Sequence, residues 1–324
     1  MITVNSVSGG KTSGYIAAEY PADVNIFACV MIGDLHYFPK DRAITRYAQD
    51  KLGCYFEGTA ESDKTLKAVM DLEQLIGQEI KWVTNYAFEL LIEAKKMLPN
   101  ARNRFCTTEL KIKPIFNHVW YRETEGKKCI MNIGFRFDEL ERTVKCYFKI
   151  PPKKGREANP NFNWDSFIKK NDIPDYLIPI WKRMKVFDKV SAGALVPKPM
   201  PINFFKNPVE GNSHKFKTDN WRVSEFPLVR DRVFHADIID YWRDGSIDWP
   251  ENSNCEFCFH KSVRQINKFA KQSKKFQFWI DQEKKIGRTF RKDFSMEQIG
   301  NMAFTEEINF DGHGVCNEGD GCTD

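Results

Sequence analysis

The feature that most constrains this chain lies at its start. A β-branched run, Ile2–Val7, leads into Ser8-Gly9-Gly10-Lys11-Thr12-Ser13, and a helix-compatible stretch, Ser13–Tyr20, follows. The run reads as a buried strand and the paired glycines as a turn with close backbone approach. A glycine-rich turn that opens a helix presents amide hydrogens and a positive dipole end, which suits a phosphate. The alternation continues. Asp23–Asp34 reads as a second apolar strand, Lys40–Gly53 as a helix stopped by its glycine, Tyr86–Asn100 as an amphipathic helix stopped by Pro99, and Lys128–Phe135 as a strand. Strands alternating with helices predict an α/β fold, Rossmann-like, with a parallel sheet covered on both faces.

Two phosphate-loop patterns compete for the first turn. Walker A, Gly-x-x-x-x-Gly-Lys-Ser/Thr, finds its end in Gly10-Lys11-Thr12 but requires glycine where Asn5 stands. The pyrophosphatase-type (PP-loop) pattern, Ser-Gly-Gly-x-Asp/Thr-Ser directly after the first strand, is met by Ser8, Gly9, Gly10 and Ser13. The bland alternative is a glycine turn without a ligand.

The texture changes after about residue 145. A segment of about 147–222, rich in Pro, Asn and Lys, reads as an insertion carrying one or two helices and long loops. His235–Gly245 returns to helix, and a helix pair is expected before a Gly, Asp and Cys-rich tail. The expected division is a nucleotide-binding domain over 1–245 and a helical, metal-binding region over 246–324. The net charge of +5 is too small to argue nucleic-acid binding by itself. No apolar run approaches the ~18 residues of a membrane helix, and no secretory pattern opens the chain, so a cytoplasmic protein with no membrane partner is expected.

Further stretches carry a resemblance. Asn103–Pro114 (NRFCTTELKIKP) resembles the Arg-x-Cys-Thr-x-x-Leu-Lys-x-x-Pro segment of the phosphoadenosine phosphosulfate (PAPS) reductase family. Gly134–Arg142 (GFRFDELER) resembles its Gly-x-Arg-x-Asp-Glu-x-x-Arg segment, and Phe226–Trp242 its Pro-Leu segment before a helix. Asn254–Ser262 (NCEFCFHKS) and the closing Cys-Thr-Asp are similar to phage and bacterial members of that family. The resemblance implies an adenine nucleotide α-hydrolase-like (PP-loop) fold that binds ATP or PAPS. Its chemistry would be sulfur transfer, reduction or nucleotidyl activation. Magnesium, an electron or sulfur donor protein and a nucleic-acid substrate are the companions it brings. Thr12 stands where many ATP-splitting members carry an aspartate that helps position magnesium, so the charge is missing here.

Within the matched motifs, Lys111, Arg136 and Arg142 are the expected cations for a leaving pyrophosphate or sulfonyl group, and Arg104 a further phosphate contact. Asp138 could bind magnesium or orient a basic residue, and the Asp138-Glu139 pair fits a helix N-terminus equally well. Asp34, after the second strand, is placed to touch ribose or adenine by the switch-point rule. His36 reads as a polar loop residue.

Nine cysteines in a reducing compartment are not expected to form a disulfide framework. Cys29, Cys54, Cys129 and Cys146 read as small hydrophobes. Cys255-x-x-Cys258 has ligand spacing. With Cys316 and Cys322 it would complete a closed four-thiolate Zn²⁺ or [4Fe–4S] site; the resemblance implies Cys106 as the other candidate ligand, with Cys316 or Cys322 then the fourth. The family's C-terminal Glu-Cys-Gly-Leu-His signature is absent, and Phe105-Cys106 replaces a Cys-Cys pair. The alternative function is a non-catalytic nucleotide-binding module with a structural zinc, working inside a nucleic-acid modification or defence complex.

Overall fold

The computed structural model describes residues 1–34, 37–152, 156–198, 221–253 and 255–304, with the backbone of 202–204 and 215–217. Among the described residues nine strands run in chain order: β1 (Thr3–Val7), β2 (Val24–Ala28), β3 (Ile80–Val83), β4 (Cys129–Asn132), β5 (Phe148–Lys149), β6 (Val196–Pro197), β7 (Ile202–Phe204), β8 (Lys215–Lys217) and β9 (Arg222–Glu225). The protein is α/β. Its principal sheet has five parallel strands in the order β3-β2-β1-β4-β9. The helices come between them, as a parallel sheet requires.

The chain forms two compact units. The first comprises Met1–Ser6, Tyr15–Val24 and Val119–Asp244. Here β4 pairs with β1 on one side (Val4 opposite Met131) and with β9 on the other (Ile130 opposite Val223). Asn5 is fully buried in this ladder. Its amide donates to the Tyr20 carbonyl at 2.9 Å and its carbonyl accepts from Asn132 Nδ2 at 2.8 Å, which removes the cost of burying it.

The insertion belongs to this unit. Antiparallel pairs β5–β6 and β7–β8 accompany helices Trp164–Lys170, Leu177–Arg183 and Val186–Ser191. An aromatic cluster binds β5 to the three helices. Phe148 packs on Trp164, Phe167 and Trp181, and Trp164 stacks on Phe187 at 3.9 Å between ring centroids.

The second unit comprises Val7–Gly14, Asn25–His118 and the described residues from Gly245 onward. Strands β2 and β3 pair in parallel, and all five residues of β2 are buried. Helix Arg42–Leu52 is capped by the Asp41 carboxylate and ends on Gly53 at φ +62°. Helix Asp63–Ile76 is capped by Ser62 and ends on Gly77 at φ +63°. The sequence reading named neither this second helix nor β3. It also carried the second apolar strand through to Asp34, whereas β2 ends at Ala28. Beyond it Val30 and Ile32 stay buried while hydrogen-bonding to Ala60 and Gly58.

A helical run from Phe105 to His118 contains a π-helical turn, Thr108–Ile112, in which the Lys113 amide reaches back to the Thr108 carbonyl. Pro114 explains the widening. It has no N–H for the Leu110 carbonyl, and its ring would press on that group in a regular α-helix.

The last third of the chain completes this unit's core. Phe257, Phe276, Phe278, Trp279 and Phe290 pack with Phe88, Leu91 and Leu110. Helices Val263–Ala270 and Phe276–Ile286 supply the expected helix pair. Glu283 is buried among them and accepts from the amides of Phe290 (2.9 Å) and Met296 (2.7 Å). Burial pushes its carboxyl pKa up, and the two amides hold it down. Glu283→Ala leaves both amides bare and is expected to cost about 1–3 kcal/mol for each one that water cannot reach. Urea denaturation checks this, and an unchanged midpoint contradicts it.

Candidate functional site

Ser8–Ser13, the residues expected to hold phosphate, all lie in the second unit. Strand β1 ends at Val7, and the next helix starts at Lys11 and runs to Glu19. Gly9 sits at φ +76°, and a Cβ there would lie 2.6 Å from Thr65 Cγ2. A Cβ on Gly10 would lie 2.7 Å from Ser253 Oγ. Both positions therefore demand glycine, the first for conformation and space, the second for space.

Hydroxyls order the turn. Ser13 Oγ accepts from the Ser8 amide at 3.0 Å and donates to the Gly10 carbonyl at 3.0 Å. Ser8 Oγ lies 3.0 Å from Ser13 Oγ and 3.4 Å from Ser253 Oγ. Three serine hydroxyls thus converge at the N-terminus of a nine-residue helix, where Lys11 and Thr12 form the first turn. Trp249 closes over that turn, since a Cβ on Gly14 would lie 2.2 Å from its ring. Ser253 escaped the sequence reading. Its only signal is a hydroxyl two residues before Cys255.

A second feature of this unit gathers the expected metal ligands. Cys106, Cys255 and Cys258 line one cavity of about 20 Å³, together with Thr107, Lys111 and the apolar side chains of Val30, Phe88, Leu110, Phe259 and Trp279. That volume admits one water-sized ion. The Thr107 hydroxyl is buried with no hydrogen-bond partner among the described residues. Cys316 and Cys322 lie outside the described residues. Among the described residues no group of three or more His, Cys, Asp or Glu side chains is drawn together tightly enough to hold a metal ion. Ligation by the three cysteines therefore requires their side chains to close on the ion.

Buried charge surrounds the cavity. Lys111 Nζ lies 3.2 Å from Glu61 Oε1, and Lys275 Nζ donates to the Glu61 carbonyl at 2.8 Å and to Asp63 Oδ1 at 3.3 Å. Lys261 is only 2% exposed. Its ammonium donates to the Glu256 carbonyl at 3.0 Å and lies over the Phe269 ring. Burial pushes the Lys261 pKa down, while the charges of Cys258, Cys255, Glu256 and Glu61 hold it up. Burial pushes the Cys29 thiol up to about 12, outweighing the Thr59 hydroxyl at 3.5 Å and the charges of Lys111 and Lys275, as befits an inert core residue. Cys129 is likewise buried and pushed up to about 11.

The remaining expected residues are distributed. Arg104 immediately precedes the helix that carries Cys106, and Asp34 is exposed on the loop after β2. Both belong to the second unit, as does Lys111. His36 lies outside the described residues. Arg136, Asp138 and Arg142 belong to the first unit. Arg136 is 1% exposed and pairs with Asp138 (3.3 Å) and Glu139 (3.5 Å). Arg142 pairs with Glu139 at 2.9 Å and lies over the Phe135 ring. Burial pushes the Glu139 carboxyl up, and Arg136 and Arg142 pull it down.

Gly9→Ala is expected to destabilise the protein by more than about 1 kcal/mol, because the new methyl meets Thr65 and the backbone stays left-handed. A denaturation midpoint equal to wild type contradicts the geometry described for the turn.

Comparison with family models, with curated proteins and with solved structures finds no match to this chain.

Proposed function

We propose that this chain is an adenine-nucleotide-binding enzyme of the PP-loop, PAPS reductase-like type, with the nucleotide's phosphates held by Ser8–Ser13. The observation that carries the reading is the convergence of Ser8, Ser13 and Ser253 hydroxyls on a glycine turn that opens a helix. Backbone amides at a helix N-terminus, aided by Lys11, favour a polyanion over a neutral ligand. Lys111, poised against Glu61, is the cation of the same unit that would offset charge on a leaving group. The pairing of Arg136 and Arg142 with Asp138 and Glu139 supports a scaffolding role for that cluster.

With PAPS, the chemistry would be two-electron reduction to sulfite and adenosine bisphosphate, drawing on an external electron donor. With ATP and magnesium, it would be adenylylation of an acceptor with release of pyrophosphate. Cys106, Cys255 and Cys258 would hold a metal, with a fourth thiolate from Cys316 or Cys322. Zn²⁺ and a [4Fe–4S] cluster both suit a four-thiolate set. Zinc would supply structural closure of the C-terminal segment onto Cys106.

A second reading has its own support. Thr12 brings no charge to the loop, which favours a non-catalytic nucleotide-binding module with a structural zinc. Product analysis separates the two: release of pyrophosphate, AMP or sulfite by purified protein supports the enzyme, and binding without any of them supports the module.

Two outcomes are expected. Gly10→Asp puts a carboxylate where phosphate would lie and should lower ATP or PAPS affinity at least 100-fold by calorimetry; retained affinity removes the loop from the reading. Cys255→Ala with Cys258→Ala should strip bound metal, and unchanged elemental analysis contradicts the ligand assignment.

A further inference from the structure

The chain's modest net charge conceals a strong local one. Between residues 145 and 198 the sequence places twelve Lys and Arg against five Asp and Glu, a net +7. The whole chain carries only +5, so everything outside this segment is net negative, at −2. Lys153 and Lys154 lie outside the described residues. The other ten, among them Lys149, Lys169, Lys170, Lys182, Arg183 and Lys189, are all exposed. Lys145 approaches Glu141 at 4.0 Å, and the remaining nine have no ion-pair partner among the described residues.

We propose that this insertion is a docking surface for the phosphate backbone of a nucleic acid. The fold turns the charge outward. Phe148, Trp164, Phe167, Trp181 and Phe187 pack on one another inside the segment, leaving the outer faces of its three short helices to lysine and arginine. Helix dipoles account for part of the pattern. Lys169, Lys170, Lys182, Arg183 and Lys189 all fall in last turns, where a cation gains about 0.3–1 kcal/mol. Dipoles do not account for Lys149, Arg156, Lys185 or Lys198, which lie outside those turns. Unpaired like charges gathered on one small subdomain repel one another and find relief in a polyanion.

The surroundings select among polyanions. An anionic membrane would be gripped by exposed apolar residues beside the cations. Ile150 is the one large hydrophobic of this segment that is strongly exposed among the described residues. The aromatics that could stack on bases pack on one another instead, with Phe148 and Trp181 fully buried and Trp164, Phe167 and Phe187 half-buried. Binding therefore runs through phosphates, with steep salt dependence and little sequence preference.

The test uses the full chain and fluorescence anisotropy with 20-nucleotide single- and double-stranded DNA and RNA at several salt concentrations. Wild type is expected to bind at least one of them. Its logarithmic affinity should fall with log salt at a slope of about 0.7–0.9 per phosphate neutralised. A variant combining K170E, K182E, R183E and K189E should bind at least tenfold more weakly with a shallower slope, and the matching exchanges between Lys and Arg should retain binding. Near-ultraviolet circular dichroism checks that the aromatic core survives. Absence of binding to all four nucleic acids, or equal binding by the charge-reversed variant, overturns the proposal. So does capture by phosphatidylserine vesicles without capture of nucleic acid. These changes leave Ser8–Ser13 untouched, so nucleotide titration of the same variant keeps this proposal separate from the phosphate-loop reading.

Discussion

Two missing side chains decide where the first loop can lie. Gly9 holds a left-handed backbone against Thr65, and Gly10 passes within a methyl's width of Ser253. A Cβ at either place forces the loop, the helix that carries Thr65 or the segment that carries Ser253 to move. Because all three can stay close, Ser8, Ser13 and Ser253 reach one another and the amides at Gly9–Thr12 begin a helix. The site is thus a consequence of backbone packing, and the hydroxyls follow from it.

The same closeness depends on the last third of the chain returning to the second unit. Its aromatics Phe257, Phe276, Phe278 and Trp279 fill a core begun by Phe88, Leu91 and Leu110. That burial carries Cys255 and Cys258 to Cys106 and carries Lys261 and Lys275 inside. Burying ammonium groups is expensive unless each is met by an opposite charge or a carbonyl. Glu61 meets two of them at once, Lys111 through its carboxylate and Lys275 through its backbone carbonyl. Lys111, one member of this charged network, lines the cysteine cavity itself.

Much of this was written in the sequence. A glycine stop located the helix at 42–52 and the β-branched run located β1, whereas the helix expected over Tyr86–Asn100 spans only Phe88–Lys95, ending on the left-handed Lys96 before Pro99 is reached. Helix Asp63–Ile76 was also legible, with Ser62 as its cap and Leu66, Val69 and Leu72 at helical spacing, yet it passed unnoticed between more obvious landmarks. Ser253 was not legible, because its nearness to Ser8 is a tertiary fact across 245 residues. Lys261 and Lys275 were not legible either. A lysine in sequence reads as surface, and only the fold shows which carboxylates and carbonyls wait for it. The pairing of Glu139 with Arg142 was visible in its three-residue spacing, but the sequence left open whether those arginines face an anion or each other's partners. Trp181 is fully buried, and the half-buried Trp164 stacks on Phe187.

The central claim is that the amides of Gly9 to Thr12 grip a nucleotide's phosphates. Hydrogen–deuterium exchange of the full chain, with and without ATP or PAPS, reads those amides directly. Slower exchange on nucleotide addition, concentrated in peptides covering residues 8–13 and the Ser253 segment, is the result predicted here. Nucleotide binding that protects other peptides and leaves 8–13 unchanged would contradict it.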